Sequence, residues 1–483
     1  MNLGMIAYIV GCVMEVEAAL LLLPVMVGLY YGETTAMSFL AVAAGEALLG
    51  LVFVLRKPKN TTFFAREGLV TTALSWFLLS AVGALPFSVT GQIPHYLDAL
   101  FEMVSGFTTT GASILLHVED LDRCMLFWRS FSHWVGGMGV LVFMLAILPL
   151  ASAGGQKLYL MRAESPGPTV DKLSPSIRTS AGWLYGIYFV LTSLCFTFLK
   201  FGGMGTFDAV CLTFGAAGTG GFGTLSTSFA SYSLMCKWVA TVFMMLFGVN
   251  FNFYYLLAVK RWRDAVKTEE VRWYFIIYLF AVITILLVLY RAGNLGRDAS
   301  VVDGFFSVAS IMTTTGFATV DFNLWPTYCR MILVAIMFTG ACAGSTGGGI
   351  KIGRFLIYFK AVAKELRRMA HPRSVRRLRI DGKSVEDGTL QNTFVYLVVF
   401  VVIYIVSVLI LALDGFDPTT TFTAVAATFN NIGPGLNLVG PAGNYSQFSF
   451  LSKVVLIFDM LAGRLEIYPL LIFFLPSTWK KHA

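Results

Sequence analysis

Four stretches rich in glycine, threonine and asparagine could do ion chemistry: FEMVSGFTTTGAS after Asp98, CLTFGAAGTGGFGT after Asp208, FFSVASIMTTTGFAT after Asp303 and TAVAATFNNIGPGL after Thr420. In each, a glycine lies 13 residues beyond the leading residue: Asp98 to Gly111, Asp208 to Gly221, Asp303 to Gly316 and Thr420 to Gly433. Asp and Thr are good N-caps, so each is expected to open a helix. About 10 residues then make a rod of roughly 15 Å, half a membrane at most, so this helix must enter and stop. The Thr/Asn-Gly backbone beyond it is a poor helix former, tolerable in a bilayer only where it lines a cavity holding water or ions. Glycine lets that backbone turn its carbonyls inward, including at positive φ. Four such loops about one axis make rings of carbonyl oxygen that can replace the hydration shell of a potassium ion. The helix C-termini, aimed at the same point, add their negative dipole ends. One such cluster is equally well explained as a close helix contact of the GxxxG kind, but four at the same offset are not.

The elements that hold these loops must be membrane spans. Of the 483 residues 57% are hydrophobic and 13% charged, with mean hydropathy +0.74, a balance that excludes a soluble protein of this length. Apolar runs such as Trp183 to Leu199, Phe275 to Tyr290 and Phe394 to Leu413 are long enough to cross as helices. The alternating pattern of an outer-membrane barrel is absent. The first run, Leu3 to Tyr30, lacks a basic leader and is too long for a signal-peptide core, so it is expected to stay as a helix. Seven cysteines lie singly without a CxxC pair and read as small core residues.

The net charge of +8 matters less than its placement, which favours a membrane over nucleic acid. Basic residues follow Leu55 (Arg56, Lys57, Lys59, Arg66), Leu150 (Lys157, Arg162, Lys172, Arg178) and Val259 (Lys260, Arg261, Arg263, Lys267, Arg272), then run from Lys360 to Lys383 and close at Lys480 and Lys481. The opposite side holds only Arg123, Arg129, Lys200, Lys237, Arg291, Arg297, Arg330 and Lys453. This bias puts the basic loops in the cytoplasm, with both termini there after ten spans. The long run from Lys360 to Lys383 reads as cytoplasmic anchoring or as a docking surface for a soluble partner. The expected fold is an all-α polytopic membrane protein: four helix, re-entrant pore loop, helix repeats around a pseudo-fourfold pore, plus two N-terminal transmembrane helices. The divisions fall at 1–65 for the two-helix domain, 66–155, 156–265 and 266–388 for repeats one to three, and 389–483 for repeat four.

Further residues stand out singly. Gly340, Gly344, Gly347, Gly348 and Gly349 interrupt the second long span of repeat three, so that helix should break near mid-membrane and face the pore. No GK[ST] ends this run, so it is not a phosphate-binding loop. Arg464 lies about 20 Å into the last span, where a guanidinium must meet something polar. It either pairs with Asp459 or Glu466, or projects into the pore as a barrier to cations. Glu102, in the first re-entrant helix, either lowers the potential for cations or is a buried, hydrogen-bonded carboxylate. Glu15, Glu17 and Glu46 are expected to face other helices or the interface, with no proton relay. The five histidines form no metal motif, and neither an enzyme's nucleophile and base set nor the inverted halves of a solute-coupled transporter are found.

Taken together, SGFTTTGA at 105–112, GTGGF at 218–222, MTTTGF at 312–317, NNIGPG at 430–435, GACAGSTGGGIK at 340–351 and GRLE at 463–466 resemble the Trk/Ktr/HKT superfamily of potassium transporters, most closely the TrkH type, over essentially the whole chain. The resemblance implies a selectivity filter at Thr109, Thr110, Gly111, Thr219, Gly220, Gly221, Thr314, Thr315, Gly316, Asn431, Ile432 and Gly433. The second segment departs in having Thr219 where a larger apolar residue often stands. The resemblance also implies an intramembrane gate at Gly340 to Gly349 with Lys351 and Arg464, and K+ as the ion in the filter, with Rb+ passing too. It implies a homodimer in the cell inner membrane with one pore per subunit, and a cytoplasmic TrkA-type ring that binds NAD or ATP. The chain has no nucleotide fingerprint of its own, so no organic cofactor is expected on it.

Overall fold

The computed structural model describes residues 1–60, 63–137, 139, 177–294, 296, 300–373 and 377–480. The basic connection expected after Leu150, with Lys157, Arg162 and Lys172, lies outside the described residues, as do Arg297, Arg376 and Lys481. Among those described, six helices are long and apolar enough to cross a membrane, or seven if one bent pair is a single span. The difference from ten expected spans has a physical cause in repeats two, three and four, whose second helices are bent or broken; the second helix of repeat one is described only as far as Gly137 and residue 139.

The N-terminal pair comprises α1 (Leu3–Leu20), continued by α2 (Leu22–Tyr31), and α3 (Ala36–Leu55). They cross closely because both carry glycine at the contact. A methyl on Gly11 would meet Gly50 O at 3.0 Å, and one on Gly50 would meet Gly11 O at 3.1 Å, the small-residue packing that replaces hydrophobic drive in lipid.

Each repeat then supplies an outer helix, a re-entrant helix and an inner helix. Repeat one has α4 (Ala65–Gly83), α5 (Tyr96–Phe107) and α6 (Arg123–Gly137). Repeat two has α7 (Ile177–Phe201), α8 (Thr206–Gly218) and an inner helix bent by 88° between α9 (Leu234–Phe247) and α10 (Phe251–Ala258). Repeat three has α11 (Glu269–Arg291), α12 (Val301–Met312) and an inner helix split by the glycine run into α13 (Thr327–Thr339) and α14 (Ile352–Ala370). Repeat four has α15 (Asp387–Leu411), α16 (Pro418–Phe429), α17 (Phe450–Arg464) and, after a break at Glu466 and Ile467, α18 (Tyr468–Phe474).

The re-entrant helices correct one expectation. Asp98, Asp208, Asp303 and Thr420 are not N-caps; each is the third residue of its helix, and the caps are His95, Gly205, Ser300 and Asp417. Ser300 and Asp417 accept the amides of Asp303 and Thr420. An acid in the first turn still offsets the helix dipole, which explains why the carboxylates recur there. The helices are accordingly 12 or 13 residues long rather than about ten.

On the basic side, part of the run after Lys360 folds back. Arg379–Ile380 and Lys383–Ser384 pair as a two-strand hairpin whose turn, Asp381 and Gly382, has φ 51° and 78°, the primed geometry that suits a right-twisted ribbon. Lys360 pairs with Glu269, and Asp381 accepts the Glu269 amide, tying the hairpin to the foot of α11.

Candidate functional site

All four re-entrant helices end identically. The first residue past each helical end or one beyond it takes a left-handed conformation: Thr109 (φ 55°), Thr219 (54°), Thr314 (57°) and Asn431 (55°). The next amide then reaches back five residues: Thr110 to Ser105 O (2.9 Å), Gly220 to Gly215 O (2.8 Å), Thr315 to Ser310 O (2.8 Å) and Ile432 to Ala427 O (2.8 Å). This is a Schellman closure, normally made with glycine. Three β-branched residues at positive φ are strained, and such strain collects at functional positions. Two residues on, Gly111, Gly221, Gly316 and Gly433 turn again at φ 80°, 79°, 86° and 94°.

These turns bring the four segments into a closed ring. A methyl on Gly111 would lie 2.0 Å from Gly220 O, one on Gly221 2.0 Å from Thr315 O, one on Gly316 2.1 Å from Ile432 O, and one on Gly433 2.7 Å from Thr110 O. Each glycine therefore abuts the carbonyl of the next repeat, and the fourth returns to the first. Among the described residues no hydrogen-bond donor engages the oxygens of Thr110, Gly220, Thr315 or Ile432, although all four residues are buried. Buried carbonyls without donors are rare, and here they recur in every quarter.

Side chains lock the ring from behind. The Asn431 amide donates to Thr110 Oγ1 (2.9 Å) and Met460 O (2.9 Å), joining repeats four and one. Tyr445 donates its hydroxyl to Gly433 O (2.7 Å). His133 of α6, which the sequence does not single out, spans repeats one and two: Nδ1 bonds Gly106 O (2.7 Å) and Nε2 accepts the Phe222 amide (3.1 Å). Its ring lies where a side chain on residue 220 would go, since a methyl there would meet His133 Cγ at 2.3 Å. That explains why the second segment has Gly220 where the others have Thr110, Thr315 and Ile432. Arg129, expected on the outer side, is buried in α6; it bonds Glu102 at 2.5 Å and Gly223 O at 3.0 Å and stacks 3.5 Å over Phe222. Glu102 also accepts Ser113 Oγ (2.9 Å) and the Ile114 amide (3.0 Å). Of its two readings, the structure shows the buried, hydrogen-bonded carboxylate.

The glycine run of repeat three packs directly against two quarters of the ring. The Gly348 amide donates to Thr314 Oγ1 (2.6 Å), while methyls on Gly347 and Gly348 would meet Thr313 O at 3.0 Å and Asn430 O at 2.4 Å. Gly340 and Gly349 close the loop on each other, 2.7 Å from added methyl to Cα. Gly344 O accepts the Phe251 amide (3.0 Å) at the bend of repeat two. Lys351 donates to Gly347 O (2.5 Å). Glu270, at the foot of α11 and unmarked by any sequence motif, accepts the amides of Ala343 (2.7 Å) and Gly353 (2.9 Å) on one oxygen and so staples both ends of the loop.

Arg464 reaches across from repeat four. It donates to Thr346 O of the glycine run (2.7 Å) and Gly136 O of repeat one (2.5 Å). Glu466, one of its two expected partners, pairs with Arg354 of α14, and Asp459 accepts Ser407 Oγ (2.8 Å).

A single chain whose four re-entrant half-helices converge on one ring of carbonyl oxygens is a pseudo-fourfold membrane transport protein. A model of the TrkH family, described as cation transport protein, matches residues 35–481, and the chain belongs to that family. The Trk system potassium uptake protein TrkH of Escherichia coli K12 is 35% identical over the full length of both chains. The protein of the same name from Vibrio parahaemolyticus is 34% identical over 99% of this chain and 100% of its own. The crystal structure of the potassium transporter TrkH from Vibrio parahaemolyticus superposes with a TM-score of 0.87 at 30% identity, covering 99% of this chain and 100% of that one.

Proposed function

We propose that this chain is the ion-conducting subunit of a Trk-type potassium uptake system, passing dehydrated K+, and Rb+ as well, through a filter formed by residues 109–111, 219–221, 314–316 and 431–433. One observation carries the reading: the closed circuit in which each glycine of the ring abuts a donor-free carbonyl of the next repeat. An oxygen without a donor in a dry site is costly unless a cation takes the donor's place. Relatives over the whole chain are named potassium uptake proteins, which supports the same ion.

The glycine run 340–349 with Lys351 and Arg464 is the gate. It lies against the ring on one side and is held by Arg464 and Glu270 on the other, so releasing those holds opens the path. A guanidinium beneath a cation filter also repels the passing ion. The chain is set in the cell inner membrane with both termini in the cytoplasm, assembles as a homodimer with one pore per subunit, and takes its nucleotide control from a TrkA-type ring docked on the basic loops.

Purified protein in liposomes tests the reading by bi-ionic flux. Potassium and rubidium are expected to move and sodium to lag, with flux changing when the candidate ring and its nucleotide are added. If neither potassium nor rubidium moves, conduction is wrong.

A further inference from the structure

Two carboxylic acids lie in the N-terminal helices, outside the four repeats, and nothing in the conduction path uses them. Glu17 of α1 is 1% exposed and Glu46 of α3 3% exposed. Their carboxyl groups are within hydrogen-bond reach of each other. Among the described residues, no donor reaches Glu17 Oε1 or either oxygen of Glu46. Glu17 also lines a cavity of about 40 Å³ whose other walls are apolar or glycine, including Val13, Trp76, Phe107, Val135 and Gly136. Two carboxylates with no donor cannot both be charged in such surroundings, whereas one shared proton gives an O–H···O bond.

The cavity's far wall reaches the gate. Gly136 presents its carbonyl to Arg464, and the Trp76 ring lies 5.9 Å from the Arg464 guanidinium. Of the remaining ionisable groups on the packed helices, Glu15 also has a buried oxygen that no donor reaches, and its charge acts on Glu46; the others are engaged elsewhere. Tyr8, Cys12 and Glu15 share α1 with Glu17, Glu15 lying near Gly50 of α3. Glu67 of α4 accepts the Phe64 amide beside the amino terminus. Arg129 and His133 of α6 are bound to Glu102, Gly106 and Phe222.

We propose that the Glu17–Glu46 pair is a proton-binding site and that its occupancy sets the grip of Arg464 on Gly136 and Thr346. Release breaks one carboxyl O–H bond, leaves the electron pair on the carboxylate and passes the proton to water. The added negative charge then faces Arg464 across the cavity wall and draws it off both carbonyls, so conduction rises with pH. This rests on the reading of Arg464 as part of the gate.

The test joins two measurements on purified full-length protein. Infrared difference spectra report the protonated carboxyl, and rubidium flux in liposomes is followed against pH. The expected result is a carboxylic acid C=O band that titrates in the unmodified protein and is lost in Glu17→Gln and Glu46→Gln. Flux should rise with pH, and this dependence should vanish in both variants and in Arg464→Ala while persisting in Glu67→Gln, whose carboxyl is engaged with the Phe64 amide. A band unchanged in both Gln variants overturns the proton site. A titrating band with pH-independent flux overturns control of conduction, and a dependence that survives Arg464→Ala overturns the route through Arg464. Protein that passes no rubidium at any pH while the band titrates overturns the conduction reading and leaves the proton site standing.

Discussion

At Gly316 an added methyl would lie 2.1 Å from Ile432 O on a backbone already at φ 86°. Either the ring opens or the segment shifts, so Gly316→Ala is expected to cut rubidium uptake by roughly 5- to 100-fold, the equivalent of the 1–3 kcal/mol typical of local strain. Gly32→Ala is the control: its φ is +74° but nothing lies within 4 Å, so uptake should persist. Behind the ring, Glu102→Gln strands the buried Arg129 guanidinium without its counter-charge, a loss of about 3–5 kcal/mol seen as a lower melting temperature in detergent. Pairing it with Arg129→Met should restore much of that, because both buried charges are then gone. A double variant no more stable than Glu102→Gln would show that the ion pair is not what holds the site.

The glycine run is a broken helix held open by other elements, and its holds predict its behaviour. Arg464→Ala frees Thr346 O and Gly136 O, and Glu270→Gln weakens the acceptor that binds Ala343 and Gly353. Both variants are expected to raise partner-free rubidium flux; unchanged or lower flux in both would count against the run as a gate. At the N-terminal end of α16, burial alone would push the Asp417 carboxyl up, but hydrogen bonds from Thr420 and Asn437 outweigh it and hold the group below the ordinary carboxylate range. A group depressed in the folded state stabilises above its unfolded value and loses that contribution as pH falls through the folded one. The melting advantage over Asp417→Asn should therefore be present at neutral pH and shrink in acid. Element starts were misleading in the sequence because an acid in the first turn and an N-cap carry the same residue preference. The ends were legible only in part: glycine announces positive φ at Gly111, but Thr109 does not, since a β-branched residue argues against that conformation.

Across the whole molecule, the four-part plan was readable because a 13-residue offset recurs at widely separated places and hydropathy marks the flanking helices. The ties between quarters were not. Lys453 meets Asp98 at 2.6 Å, Arg354 meets Glu466, and His133 meets Phe222, and none of these pairs leaves a local pattern, because each joins residues that only the folded ring makes neighbours. Arg129 illustrates the limit: charge placement assigns it to an outer loop, while its partners bury it. The proposed assembly is also open to direct measurement. Light scattering of the detergent-solubilised protein should give a protein mass twice the 53.0 kDa of one chain, and a monomeric mass at working concentrations would remove the dimer from the proposal.

His133 standing where the second quarter lacks a side chain at Gly220 has a genetic corollary. In a pore assembled from four copies, one codon change appears at every corner, so only alterations tolerable four times over can persist. Here each corner is written separately, and one can forgo its own side chain for a neighbour's imidazole while the other three keep theirs.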